Sequence, residues 1–175
     1  MMDRLRPRLA TVADAEEINA IYNYYVRTST ATFQVEGETT EERVEELRTR
    51  PGNQPLIVLE ADHVVVGWGA LSPFRSRCAY RDTMELTVYV RHDCHRRGYG
   101  RVMARDLIER ARSSGFHTVL AVCCEESIGM IRMLDSLGFK VAGRLREVGS
   151  KFGRRLDVVY LQLLSLGLAT EPRSD

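Results

Sequence analysis

The sequence predicts an α/β fold, a central mixed sheet flanked by about four helices. Apolar residues recur at strand spacing in some stretches and at helical spacing in others. Their order is helix, helix, strand hairpin, then strand, helix, strand, helix, then a second hairpin. A hydrophobic fraction of 44% over 175 residues, with no repeat, low-complexity tract or linker, adds that one domain spans residues 1–175 and buries a sizeable core over about residues 5–165.

Each element has its own signal. A short strand is expected over residues 5–9. Thr11-x-x-Asp14 and Asp14-x-x-Glu17 offer capping-box starts to a helix carrying Ile18, Ile21, Tyr22 and Tyr25 at helical spacing, and the loop TSTATF ends it. TTEERVEELRTR is a second helix, stopped by Pro51-Gly52. LIVLEA and VVVGWGALS read as an antiparallel hairpin about Asp62-His63. In MELTVYVR, Met84, Leu86, Val88 and Val90 alternate with Glu85, Thr87, Tyr89 and Arg91, so one strand face is apolar and the other bears a carboxylate, a hydroxyl and a phenol. A helix follows with Met103/Ala104, Leu107/Ile108 and Ala111 as its stripe and Gly115 as its stop. HTVLAVCC suits a strand buried on both faces. Ser127 is placed to cap a helix with the stripe Ile128, Ile131, Leu134, Leu137 and the stop Gly138. FKVAGRLREV and LDVVYLQLL close the chain as strands about the turn KFGRR.

Composition narrows the function classes. Lys and Arg total 25 against 24 Asp and Glu, so no general surface field attracts nucleic acid or acidic membranes, and any cationic function is local. No run approaches the ~20 apolar residues of a membrane span, and MMDRLRPRLA lacks an apolar signal core, which predicts a cytoplasmic protein. Cys78, Cys94, Cys123 and Cys124 show no C-x-x-C spacing and read as reduced structural thiols, with metal binding the minor alternative.

The chemistry concentrates where MELTVYVR runs into HRRGYG. A strand ending in a glycine turn before a helix leaves the first helical N–H groups unpaired at the positive end of the helix dipole. Gly98 and Gly100 allow close approach of an anion and positive φ, and Arg96, Arg97 and Arg101 add charge. The turn is neither the dinucleotide fingerprint G-x-G-x-x-G nor the phosphate loop G-x-x-x-x-G-K-S/T.

HRRGYG fits, but for its first residue, the pattern Q/R-x-x-G-x-G/A of the GNAT superfamily of N-acetyltransferases. Together with IYNYYVRTSTATF, SPFRSRCAY, MELTVYV, GFKVAGRLREVG and KFGRRLDVVYLQ it resembles the phosphinothricin and methionine sulfoximine acetyltransferase branch over nearly the whole chain. The resemblance implies a mostly antiparallel sheet splayed between two parallel strands, with acetyl-CoA as co-substrate. It implies that backbone groups of Val88, Tyr89 and Val90 hold pantetheine, that residues 95–101 (His95, Arg96, Arg97, Gly98, Tyr99, Gly100, Arg101) cradle the pyrophosphate, and that Ser127 lies near the pantetheine. Glu85 becomes the general base, with Tyr89 a second catalytic candidate. Phe33, Arg75, Arg77, Tyr80, Glu85 and Thr87 would meet a small-molecule amine acceptor, an L-amino acid or an analogue with a tetrahedral side-chain group. A homodimer is expected, with neither nucleic acid nor membrane as partner.

Four departures qualify the resemblance. His95 replaces Gln or Arg, so charge there is conditional near neutral pH and cofactor affinity is expected to weaken as pH rises. Ser127 replaces Asn, and a plain helix cap explains it as well. Arg155 replaces Trp. Leu134 stands where the superfamily presents Tyr, and this branch His, near the CoA sulfur, and a leucine cannot protonate a thiolate. Two other readings therefore stand beside the enzyme: a degenerate acetyl-CoA-binding protein with little catalysis, and an acetyltransferase for another amine.

Overall fold

Seven strands form one sheet in the order β1-β2-β3-β4-β5-β7-β6, in a computed structural model that describes residues 5–164. The strands are β1 (Arg8–Leu9), β2 (Leu56–Ala61), β3 (Val64–Pro73), β4 (Thr83–Val90), β5 (Thr118–Cys124), β6 (Lys140–Lys151) and β7 (Arg154–Leu164). The helices are α1 (Ala15–Thr28), α2 (Thr40–Thr49), α3 (Tyr99–Ser113) and α4 (Ile128–Asp135). The ends of the expected domain, residues 1–4 and 165–175, lie outside the described residues.

Every neighbouring pair is antiparallel except β4 with β5. That pairing covers only Thr83 with Thr118, Met84 with Val119 and Glu85 with Leu120, although both strands run on, so the sheet parts beyond Glu85. Both hairpins use two-residue turns with positive φ at each position, Asp62 and His63 (51° and 62°) and Phe152 and Gly153 (52° and 71°), the turn form that matches strand twist.

Two cores lie on the two faces. One joins α3 and α4 to the sheet through Met103, Leu107, Ile108, Leu134 and Phe139 against Ile57, Leu86 and Val119. The other joins α1 to the opposite face through Ile18, Ile21 and Tyr25 against Leu56, Val58 and Trp68. The alternation in β4 is thus observed: Val88 and Val90 pack on the α3 side and Tyr89 on the α1 side.

Several expectations are adjusted. The strand expected over 5–9 pairs only at Arg8–Leu9, where Pro7 offers no N–H. Thr11 and Asp14 do bond, Thr11 N–H donating to Asp14 Oδ2 at 2.7 Å, but they cap a short 3-10 turn, and Asp14 makes no side-chain cap to α1. The capping box that starts a helix is that of α2, with Thr39 and Glu42. On β5, Val122 is exposed where two buried faces were expected, and Ile128 opens the α4 stripe half-exposed; both border the parted strands.

Candidate active site

Parting β4 from β5 opens a cleft of about 890 Å³ that passes between the strands, with walls on both faces of the sheet. On the α3 and α4 side it is lined by His95, Arg96, Gly98, Tyr99, Gly100 and Arg101 from the turn, and by Ser127, Met130 and Met133 from α4. On the α1 side lie Thr30, Ala31, Thr32 and Phe33. Glu85, Thr87, Val88, Tyr89 and Val90 run along its length.

The turn end is built locally. Gly98 has φ +81°, a left-handed conformation that a side chain would strain, and its carbonyl accepts the first α-helical bond, from Val102 N–H at 3.1 Å. The four amides from Gly98 to Arg101 therefore have no helical carbonyl partner, and no side chain caps them. Arg96, also at positive φ (63°), faces the same space. Arg97 is exposed in this turn but does not line the cleft. A set of unpaired amides beside two guanidiniums, next to a slot between strands, fits a pyrophosphate with a narrow arm attached.

His95 is engaged in an unexpected way. Its Nε2 lies 2.6 Å from the Tyr25 hydroxyl, which also bonds to the Val90 carbonyl. Burial pushes the Tyr25 phenol up to about 12, so it keeps its one proton. A carbonyl only accepts, so Tyr25 donates to Val90 and must accept from His95, which fixes the proton on Nε2. His95 is thus tied through Tyr25 to β4 at Val90.

At the far end stands Glu85, the last residue of β4 paired to β5, half-buried, its pKa raised by burial. Tyr89 packs among Tyr22, Tyr25 and Trp68 and donates to the Ala31 carbonyl at 3.3 Å, and its phenol is pushed above its usual range by burial. Cys123, buried across the gap on β5, is raised to about 12 by burial and remains a thiol. Cys94 and Cys124 are likewise buried and free, and Cys78 is exposed and free.

Most predicted site residues are thereby brought to one cleft: Phe33, Glu85, Thr87, Val88, Tyr89, Val90, His95, Arg96, Gly98, Tyr99, Gly100, Arg101 and Ser127. Arg75, Arg77 and Tyr80 are not among its walls. They are exposed in the segment between β3 and β4, with Arg75 over the Phe74 ring at 5.1 Å and Phe74 edge-on to Tyr80. Ser127 holds the N-cap position of α4 but makes no capping bond, which removes the plain-cap explanation. Leu134 is fully buried in the α3/α4 core and does not line the cleft, so the expectation that its position faces the cofactor's sulfur is corrected. Arg155 is exposed on β7 opposite Ser150. Sequence reasoning missed Tyr25, Glu126, Met130 and Met133 as lining residues. The Arg154–Glu126 pair (2.7 and 3.1 Å) and the bond from Thr30 to Glu126 (3.1 Å) join segments too distant for any spacing rule to connect.

The acetyltransferase (GNAT) domain model matches residues 8–160. The phosphinothricin N-acetyltransferase of Streptomyces viridochromogenes is 35% identical over 89% of this chain and 85% of its own. The L-methionine sulfoximine/L-methionine sulfone acetyltransferase of Pseudomonas paraeruginosa is 35% identical over 89% and 92%. A GNAT superfamily phosphinothricin acetyltransferase from Sinorhizobium meliloti, solved with acetyl-CoA, superposes with a TM-score of 0.91 at 30% identity, covering 97% of this chain and 94% of that one. The chain belongs to the GNAT acetyltransferase family, and it is an acetyl-CoA-dependent N-acetyltransferase.

Proposed function

We propose that the enzyme acetylates the α-amine of a small L-amino acid or an analogue of the phosphinothricin, methionine sulfoximine or methionine sulfone type. One observation carries the reading: Glu85 stands where the two parallel strands separate, in a cleft walled on both faces of the sheet. Acetyl-CoA, a thioester, supplies the activated acetyl carbon. Arg96, Gly98, Tyr99, Gly100 and Arg101, with Arg97 at the rim, would hold its pyrophosphate; backbone of Val88, Tyr89 and Val90 and the free Ser127 hydroxyl would hold the arm. The amine arrives from the α1 side, where Phe33 and Thr87 shape its place, and Arg75, Arg77 and Tyr80, exposed outside the cleft walls, would meet the acceptor's anionic group from the segment between β3 and β4. Glu85 takes the ammonium proton, directly or through water, and its raised pKa makes it a better base than a free carboxylate. Tyr89 is the nearby phenol for the departing sulfur, since Leu134 is sealed in the core.

A single domain would carry this activity in the cytoplasm. It would act as a homodimer through β6, an edge strand with half-exposed Val141, Leu145 and Val148 beside Phe152, which light scattering after size exclusion would measure. The deciding experiment incubates the protein with acetyl-CoA and phosphinothricin, methionine sulfoximine, methionine sulfone, ordinary amino acids or spermidine and weighs the products. Acetylated sulfone or phosphinate compounds, lost in Glu85→Gln, support the reading. Spermidine as the one product overturns the acceptor. Acetyl-CoA binding without any product favours the non-catalytic reading.

A further inference from the structure

The loop of residues 29–33, which walls the α1 side of the cleft, contains no regular element. Tyr22, Tyr89 and Glu126 each bond to it, and its main-chain carbonyls are gathered from farther along the chain. Lys151, the last residue of β6, is buried to 4% exposure, yet among the described residues its ammonium pairs with no carboxylate. It donates instead to three main-chain carbonyls: Ser29 at 2.7 Å, Thr32 at 2.7 Å and, more weakly, Tyr25 at 3.4 Å. Tyr25 belongs to the last turn of α1 and Ser29 is its C-cap, so the cation sits at the negative end of that helix; it gathers the Ser29 and Thr32 carbonyls beyond the helix and shares the Tyr25 carbonyl with the Ser29 N–H (3.0 Å).

The same strand touches the loop again at Gly149. A Cβ there would fall within the Phe33 ring, 2.6 Å from Cδ2 and 2.8 Å from Cζ. Gly149 reaches that place because β6 carries two extra residues between Leu145, opposite Val158, and Gly149, opposite Leu156. Within this bulge Glu147 takes a φ of +53° and its N–H donates to Asp157 Oδ1 at 2.7 Å. The bulge therefore sets Gly149 beneath the ring and Lys151 among the carbonyls.

We infer that Lys151 and Gly149 position the acceptor side of the site, the ammonium gathering the loop's carbonyls and the bare glycine seating Phe33 over the cleft. Lys151 is itself kept from substrate, because its three N–H donors already have three carbonyls. The inference rests on the proposed acetyl-transfer site and specifies which residues order its acceptor wall.

The test uses the full chain as wild type, Lys151→Met, Lys151→Arg, Gly149→Ala and Gly149→Ala/Phe33→Leu, each checked for native circular dichroism and Tm. Amide hydrogen exchange over residues 29–34 reads the loop without turnover, so it stands even if no acceptor is ever found. Exchange there is expected to rise about tenfold in Lys151→Met, with α3 unchanged. With methionine sulfone, or whichever compound of the panel is acetylated, as acceptor, its KM is expected to rise about tenfold in Lys151→Met and in Gly149→Ala, with kcat and acetyl-CoA affinity within about twofold. Lys151→Arg should recover part of the loss, and Phe33→Leu should relieve Gly149→Ala. Unchanged exchange over 29–34 in a folded Lys151→Met overturns the inference, as does a loss confined to kcat or to acetyl-CoA affinity.

Discussion

The two ends of the cleft are made in opposite ways. The turn end comes from ten consecutive residues, 92–101, whose geometry is settled by a strand terminus, a left-handed glycine and a helix start. The acceptor end is assembled from residues 29–33, Glu85, Cys123, Glu126, Gly149 and Lys151, which meet only in the folded chain. In the proposed site the local device would hold acetyl-CoA and the tertiary assembly would receive the acceptor. Changes at the turn should then act on acetyl-CoA alone, and changes at the acceptor end on catalysis and acceptor.

Glu85→Gln carries the largest expected effect, about 10²–10⁴-fold in kcat/KM with acetyl-CoA affinity retained. The wild-type acid limb should lie above the ordinary carboxylate range, because burial raises the Glu85 pKa and activity appears as pH climbs through it. Stability runs the other way. A carboxylate with a raised folded pKa contributes stability that is full below its unfolded pKa and lost as pH rises through the folded one. Glu85→Gln should therefore raise Tm at pH 7 relative to wild type and leave it little changed at pH 4. A variant as active as wild type, or no pH dependence in the Tm difference, would break the assignment.

Leu134→His tests the boundary between site and core. If the position faced the sulfur, histidine would speed the reaction. Buried without exposure among apolar side chains, it should instead cost about 3 kcal/mol of stability, read by chemical denaturation, with no gain in kcat.

What was legible in the sequence follows the same division. Alternation in MELTVYVR placed Glu85, Thr87 and Tyr89 on one face, and the glycine turn marked the start of α3, because both signals are local. The fold followed from element order. Lys151 could not be read, since a lysine before a turn ordinarily lies in solvent and only burial beneath the 29–33 loop gives it three carbonyls. Ser127 and Leu134 enter together through the family resemblance, and the structure separates them: Ser127 lines the cleft while Leu134 turns into the core.

Gly98→Ala probes the turn by itself. An alanine held at φ near +81° costs about 1–2 kcal/mol, and relief by moving the turn disperses the amides of α3. Acetyl-CoA affinity should fall roughly tenfold, with acceptor KM at saturating cofactor unchanged. A fall in acceptor affinity alone would mean that the two ends are not separable.

The smallest effect is expected where the ends meet, at Tyr25. Its hydroxyl ties His95 of the turn to Val90 of the strand, and its carbonyl is one that Lys151 approaches. Tyr25→Phe removes the first link and leaves the second, because the second is main chain. His95 is exposed and recovers a bond from water, so the loss should be about 1 kcal/mol of stability with a few-fold weaker acetyl-CoA binding. The nitrogen resonances of His95 give a sharper reading. In the wild type its neutral form should carry the proton on Nε2, since the Tyr25 proton is already given to Val90; in Tyr25→Phe that preference should relax. A wild-type His95 protonated on Nδ1 instead would reverse the direction of the Tyr25 bond and sever the link from turn to strand.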